Sequence, residues 1–94
     1  MQPEIHVIVK AVIAYLIANP HACDNEEGID RWWLADHGQS SRDVSAALDW
    51  LVVNGFLQTV TAADGRTRYR RLATDDSLKA TLEDFSVETN QRST

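Results

Sequence analysis

Arginine residues that could bind phosphate are concentrated in one short segment of the chain. Residues 56–74 contain four arginines and a single acidic residue, Asp64, so the segment carries a formal charge of +3. Arg66 and Arg68 alternate there, and alternate residues of a strand point to the same face. Guanidinium groups on one face are suited to bidentate contacts with phosphate oxygens. The chain as a whole nevertheless has a net charge of −5, which opposes long-range attraction to a polyanion.

The other reactive side chains match no catalytic or metal-binding motif. His21 and Cys23 have acidic neighbours, but their spacing matches no closed four-ligand zinc pattern. The sequence contains no glycine-rich phosphate loop and no G-x-S-x-G motif. We therefore expect no enzymatic activity, no cofactor and no metal site. Cys23 is the single cysteine, so it has no intramolecular disulfide partner.

Length and hydropathy predict one small cytoplasmic domain. A chain of 94 residues suits a single domain with a modest core. No apolar run approaches the roughly 18 residues of a membrane-spanning helix. The N-terminus lacks the basic leader of a signal peptide. The sequence therefore predicts a cytoplasmic location without membrane association.

Residues 5–18 have the apolar spacing of a first helix. Pro3 suits its first turn, and Asn19-Pro20 ends it, because a residue before proline avoids the helical region. One stripe of the helix faces the core on a helical wheel: Ile5, Ile8, Val9, Val12, Tyr15 and Leu16. Val7, Ile13 and Ile17 lie outside this stripe. Such a broad apolar surface predicts that a further helix or a second subunit covers it.

A second and a third helix follow. Asp24 with Glu27 predicts a capped start for the second helix, which runs to about Ala35. Trp33 is expected in the core, whereas Trp32 is either a core or an interface residue. A turn containing Gly38 leads to a third helix over residues 40–54, capped by Ser40 or Ser41. Its inward face has helical spacing: Val44, Ala47, Leu48 and Leu51. Asn54-Gly55 ends it, and Trp50 either packs under the following hairpin or the C-terminal helix, or forms an interface.

The C-terminal part predicts a hairpin, a short helix and a tail. The β-compatible runs 56–61 and 66–72 flank Asp64-Gly65, a strong hairpin signal. Tyr69 and Leu72 are both expected to point inward, but they are three residues apart, whereas inward residues of a regular strand are two apart. This spacing predicts a bulge near Arg70. Residues 77–85 predict a helix with Leu78, Leu82 and Phe85 on one side. The chain thus divides into a domain over residues 1–73, a C-terminal helix within 74–86 and a polar, disordered tail over 87–94.

This order of elements resembles the winged helix-turn-helix superfamily, including small bacterial transcriptional regulators of the MarR, ArsR and pilus-operon types. The resemblance covers roughly residues 5–72 and is carried by Trp33-Leu34, Gly38, Ser41, Val44, Leu48, Leu51, Gly55-Phe56-Leu57, Asp64-Gly65-Arg66 and Tyr69. It implies an α+β, mainly α, fold: a three-helix bundle with a two-stranded β-hairpin wing and a short C-terminal helix. It also implies that the C-terminal helix packs on helix one or at a dimer interface.

The resemblance implies DNA binding, with helix 40–54 in the major groove and the wing, residues 62–71, on the backbone. The DNA-binding residues would then be Gln39, Ser40, Ser41, Arg42, Ser45, Arg66 and Arg68. Arg42 is the residue of helix three that could contact guanine through two hydrogen bonds. An alternative is an acidic protein-interaction module that does not bind DNA. The net charge, the three tryptophans and the presence of Asp43 and Asp49 on helix three favour this alternative.

Overall fold

The fold is α+β and mainly helical. The computed structural model describes residues 2–34 and 38–92, and for residues 86–92 the backbone alone. The elements are α1 (Pro3–Ala18), β1 (Cys23–Asp24), α2 (Glu26–Gly28) continuing as a π-helical turn (Ile29–Trp33), α3 (Ser41–Val53), β2 (Leu57–Thr61), β3 (Thr67–Arg71) and α4 (Asp75–Arg92). The helices α3 and α4 both pack against α1.

The sheet is antiparallel and has the strand order β1-β3-β2 within the described residues. The sequence predicts two strands, whereas the described sheet has three, because β1 pairs with the free edge of β3. A strand of two residues is too short to show an alternating pattern, so the sequence places it in a connection. The predicted hairpin itself is present, and Gly65 has the left-handed φ of 82° that its turn requires.

The predicted bulge near Arg70 is also wrong. Pairing runs without interruption from Leu57 opposite Arg71 to Thr61 opposite Thr67. The expectation assumed that Leu72 points inward, but its side chain is 55% exposed. Arg71 lies on the half-buried face instead. Its guanidinium donates to the carbonyl of Ala73 through Nε at 2.7 Å, so the polar group is satisfied there.

Helix α1 is covered on two sides, and its buried stripe is wider than predicted. Pro3 lies in the first turn, and the side chain and the N–H of Asn19 both donate to the carbonyl of Tyr15 at the other end. Ile13 is buried although the helical wheel placed it outside the core stripe. Helix α4 packs on α1 in addition to α3, which agrees with the further cover that the broad apolar surface predicts. Val7 remains exposed.

The second helix begins and continues differently from the prediction. Asn25, rather than Asp24, is its N-cap, because its Oδ1 accepts from the Gly28 N–H at 2.8 Å. After Gly28 the helix widens to π geometry, in which the Leu34 N–H donates to the Ile29 carbonyl at 3.1 Å. Trp33 is buried as predicted. The predicted end at Ala35 lies outside the described residues.

Helix α3 agrees closely with the sequence pattern. Its four predicted inward residues are all buried. The Ser40 hydroxyl accepts from the Asp43 N–H at 3.2 Å, which identifies Ser40 as the N-cap. At the other end, Gly55 has a φ of 80°, and the Phe56 N–H donates to the Leu51 carbonyl at 2.9 Å. This is a Schellman ending, and it directs the chain into β2.

Helix α4 is longer than predicted and completes the core. It begins at Asp75 rather than Ser77 and ends at Arg92, so residues 87–92 are helical where a disordered tail was expected. Their polar composition suggested disorder, but no glycine or proline interrupts the helix. Leu78 is fully buried. Phe85 contacts His6 edge-to-face, with ring centroids 4.5 Å apart.

Trp50 packs against both elements that the sequence offered as its cover. Its ring stacks on Phe56, just before β2, with centroids 5.9 Å apart. It also meets Phe85 of α4, at 6.3 Å. Trp50 therefore joins α3 to the hairpin and to α4, as the packing interpretation expected.

Candidate nucleic-acid interface

The hairpin separates its arginines between two faces. In β3 the half-buried residues are Tyr69 and Arg71, whereas Arg68 and Arg70 are exposed. Arg68 and Arg70 therefore share the outer face. Arg66 lies directly before the strand, two residues from Arg68, and is exposed on the same alternating pattern. Arg70 is absent from the DNA-binding residues that the sequence predicts. The alternation of Arg66, Arg68 and Arg70 is the signal that would have included it.

Arg71 is mostly buried and already paired. Its side chain is only 16% exposed, and Nη1 lies 2.6 Å from Oδ1 of Asp75. This ion pair ties the end of β3 to the first turn of α4. Arg71 is therefore a structural residue, although its charge contributes to the positive segment seen in the sequence.

The tip of the hairpin presents Arg66. The Asp64 carboxylate accepts from the Arg66 backbone N–H at 3.0 Å, which closes the turn. Nε of Arg66 lies 4.0 Å from the same carboxylate, and both side chains are largely exposed. Such a pair contributes little energy, so the Arg66 guanidinium is available to another partner.

The rest of the outer face contains Arg68 and Arg70. Arg68 makes no hydrogen bond or ion pair with the side chains that the structure describes, and it lies opposite Val60 of β2. Arg70 lies between Cys23 of β1 and Gln58 of β2. With its amide oxygen turned toward Arg70, Gln58 accepts from Nη2 at 2.8 Å, which orients the guanidinium across the sheet.

The residues predicted at the start of α3 differ in their accessibility. Ser41 and Arg42 are exposed, and Ser45 is half-buried. The Ser40 hydroxyl is occupied by its capping bond. The Gln39 Nε2 donates to both the carbonyl and the carboxylate of Asp30, so this side chain braces the π-helical turn. Gln39 therefore has a structural partner where the sequence predicted a DNA contact.

Acidic side chains surround the start of α3. Glu26, Glu27 and Asp30 line an open groove together with Ser41 and Val44. Carboxylates at this position oppose the approach of phosphate groups to the helix N-terminus. The positive outer face of the hairpin and the acidic groove at α3 are thus two different electrostatic surfaces.

Carboxylates also lie near the phenol of Tyr69, on the inner side of the sheet. Burial raises the pKa of its phenol, and the nearby carboxylates of Glu26 and Asp49 raise it further. Two elements, α2 and α3, therefore place carboxylates close to the inner side of β3. The Arg66, Arg68 and Arg70 side chains project from the other side.

A thiol and an imidazole lie in one groove beside the sheet. Cys23 is exposed and lines a shallow groove with His21 and Arg70, among others. Over residues 2–34 and 38–85, no group of three or more His, Cys, Asp or Glu side chains is placed to hold a metal ion. None of the described helices is both long and apolar enough to cross a membrane.

Comparison of the chain with protein-family models, curated protein sequences and solved structures gave no match. Any inference about function therefore rests on the residues and the geometry of this chain.

Proposed function

We propose that this protein is a small DNA-binding transcriptional regulator with a winged-helix fold. The observation that supports the proposal most directly is the outer face of the hairpin, which exposes Arg66, Arg68 and Arg70 together. Contacts with phosphate groups supply most of the affinity of non-specific DNA binding. A hairpin that exposes three arginines has the chemistry to make such contacts along a DNA backbone.

Helix α3 has the secondary role in this proposal. It lies in the major groove, where Ser41, Arg42 and Ser45 approach the bases. Arg42 is exposed, and no described side chain pairs with its guanidinium. It contacts guanine, which arginine binds through two hydrogen bonds. The carboxylates of Glu26 and Glu27 weaken this approach. We therefore expect DNA affinity to depend chiefly on the hairpin and to be modest.

A homodimer through α1 and α4 belongs to the same proposal. These helices form an apolar groove lined by Val7, Ala11, Ala14 and Leu82, with Lys10 at its edge. A second copy of the chain occupies this groove, because a DNA-binding protein that forms a two-fold dimer contacts two half-sites. Light scattering should therefore give the mass of a dimer, and Ala14→Glu should give a monomer that retains its helical circular dichroism. A monomeric wild-type protein at micromolar concentration would contradict this part.

Fluorescence anisotropy with a labelled random-sequence duplex at about 50 mM salt tests the DNA proposal, because even a weak reader binds non-specifically under these conditions. Arg66→Ala/Arg68→Ala should weaken the binding of every sequence, whereas Arg42→Ala should relax preference at one base pair. Arg31→Ala is the matched control, because Arg31 is exposed on another element and pairs with Glu27 at 3.5 Å. No binding by the wild-type protein would refute the proposal.

A second candidate function is a protein-interaction module that does not bind DNA. The acidic groove beside Ser41 favours it, since this groove lies where the proposed DNA-reading helix begins. The same anisotropy experiment separates the two functions. A complete absence of duplex binding by a folded protein is the result that the second candidate predicts.

A further inference from the structure

Trp32 is held at the surface by the packing of its neighbours. Its side chain is 67% exposed, whereas Trp33 and Ile29 are buried on the other side of the same π-helical turn. Trp33 stacks on Tyr15 of α1, with centroids 4.8 Å apart and ring planes 12° from parallel. These contacts anchor the turn, so Trp32 cannot enter the core without displacing Trp33. Tryptophan is enriched among the residues that contribute most to binding at protein interfaces.

The surroundings of Trp32 carry negative charge. Asp24, Glu27 and Arg31 line one shallow depression with the Trp32 ring. Glu27 also borders the adjoining acidic groove, together with Glu26. The depression and the groove together are lined by four acidic residues and one basic residue, Arg31.

Internal partners leave part of this negative charge uncompensated. The Asp24 carboxylate accepts from the Asn25 N–H at 2.9 Å, but a backbone bond does not neutralise its charge. The Glu27 carboxylate lies 3.5 Å from Nη2 of Arg31, and both side chains are mostly exposed to water. An exposed pair of this kind is weak, so an incoming cation can compete for Glu27.

We propose that Trp32, Asp24, Glu26 and Glu27 form a docking surface for a basic segment of a protein partner. A lysine or arginine side chain of the partner lies on the Trp32 ring in a cation–π contact. Tryptophan makes the strongest contact of this kind among the aromatic side chains. The neighbouring carboxylates pair with further cations of the segment. A nucleic acid does not fit the same surface, because its phosphates would face these carboxylates.

This docking surface is separate from the arginine face of the hairpin. It consists of residues from β1, α2 and the π-helical turn, and none of Arg66, Arg68 or Arg70 lines it. The inference therefore goes beyond DNA binding and does not depend on it. Trp32→Ala should leave duplex binding unchanged, so the two proposals fail separately.

A fluorescein-labelled, C-terminally amidated arginine–glycine repeat peptide serves as the probe. Anisotropy at low salt should detect binding to the wild-type protein, and Trp32→Ala should weaken it about fivefold, as expected for loss of a cation–π contact worth about 1 kcal/mol. Glu26→Gln/Glu27→Gln should weaken it by a similar factor. Trp32→Phe should recover part of the affinity, because a phenyl ring retains a weaker cation–π contact.

The matched control is Glu83→Gln/Asp84→Asn on α4, which removes the same charge from exposed positions elsewhere. This variant should bind the peptide within twofold of wild type. Equal binding by Trp32→Ala and wild type would overturn the proposal. So would an equal loss in the α4 control, since that would mean general attraction of a basic peptide to an acidic protein. Circular dichroism confirms that each variant is folded.

Discussion

Replacing Leu78 with alanine should strongly destabilise the protein, because this residue holds α4 in the core. Its side chain is 0% exposed within one chain, so its burial needs no second subunit. The change removes three buried carbon atoms, at about 0.8 kcal/mol each, or roughly 2.4 kcal/mol. The remaining cavity raises the expected loss to about 2–5 kcal/mol.

The loss should be visible by both thermal and chemical unfolding. For a domain of this size Tm changes by about 4–8 °C per kcal/mol, so Leu78→Ala should lower Tm by roughly 10 °C or more. Urea titration followed by circular dichroism gives the free energy of unfolding independently. The control is Leu72→Ala, because Leu72 is exposed and should change stability by less than about 0.5 kcal/mol. Equal stability of the two variants would refute the packing of α4 on the core.

Two further predictions concern the cap of α3 and the alkaline side of the stability profile. Ser40→Ala should lower the free energy of unfolding by about 1 kcal/mol, because the Asp43 N–H loses its acceptor. Ser41→Ala should be nearly neutral. Equal losses of the two variants in urea unfolding would contradict Ser40 as the cap. The pKa of Tyr69 is raised above 10.0 by burial and then by Glu26 and Asp49, so the fold favours the neutral phenol. This contribution to stability is complete below pH 10 and is lost as the pH rises through the raised pKa. Glu26→Gln should bring the pKa of Tyr69 back toward its ordinary value in a spectrophotometric titration that uses Tyr69→Phe to assign the phenol. An unchanged midpoint would show that Glu26 does not act on Tyr69.

The sequence predicted those elements whose signals lie within a few neighbouring residues. The inward face of α3, its stop at Gly55 and the turn at Gly65 follow from helical spacing and from backbone conformations that glycine adopts easily. Ser40 and Ser41 were both acceptable caps, because either hydroxyl could reach an N–H one turn ahead. The structure decides between them by a single hydrogen bond.

Features that depend on contacts between distant segments were missed. β1 exists because Cys23 and Asp24 pair with β3, and a two-residue strand has no pattern of its own. Ile13 is buried although the helical wheel placed it outside the core stripe, because the broad apolar surface of residues 5–18 does not show which part of it the other elements cover. Arg71 is a different case, because it lies on the half-buried face of β3 and pairs with Asp75 only four residues later. Composition alone assigned that arginine to a positive surface.

The candidate site was predictable only in its hairpin. Alternation along β3 identifies Arg66 and Arg68, and it extends equally to Arg70. The role of Gln39 was not predictable, because its acceptor Asp30 lies on the π-helical turn nine residues earlier. The acidic groove was missed for the same reason, since α2 and the start of α3 form it only after folding.

The salt dependence of duplex binding tests the central claim most directly. The logarithm of the binding constant should fall linearly with the logarithm of salt concentration, with a slope of about 0.9 per phosphate contact. We predict that Arg66→Ala/Arg68→Ala reduces this slope by about two units, whereas Arg31→Ala leaves it unchanged. A slope for Arg66→Ala/Arg68→Ala equal to that of the wild-type protein would contradict phosphate binding by the hairpin.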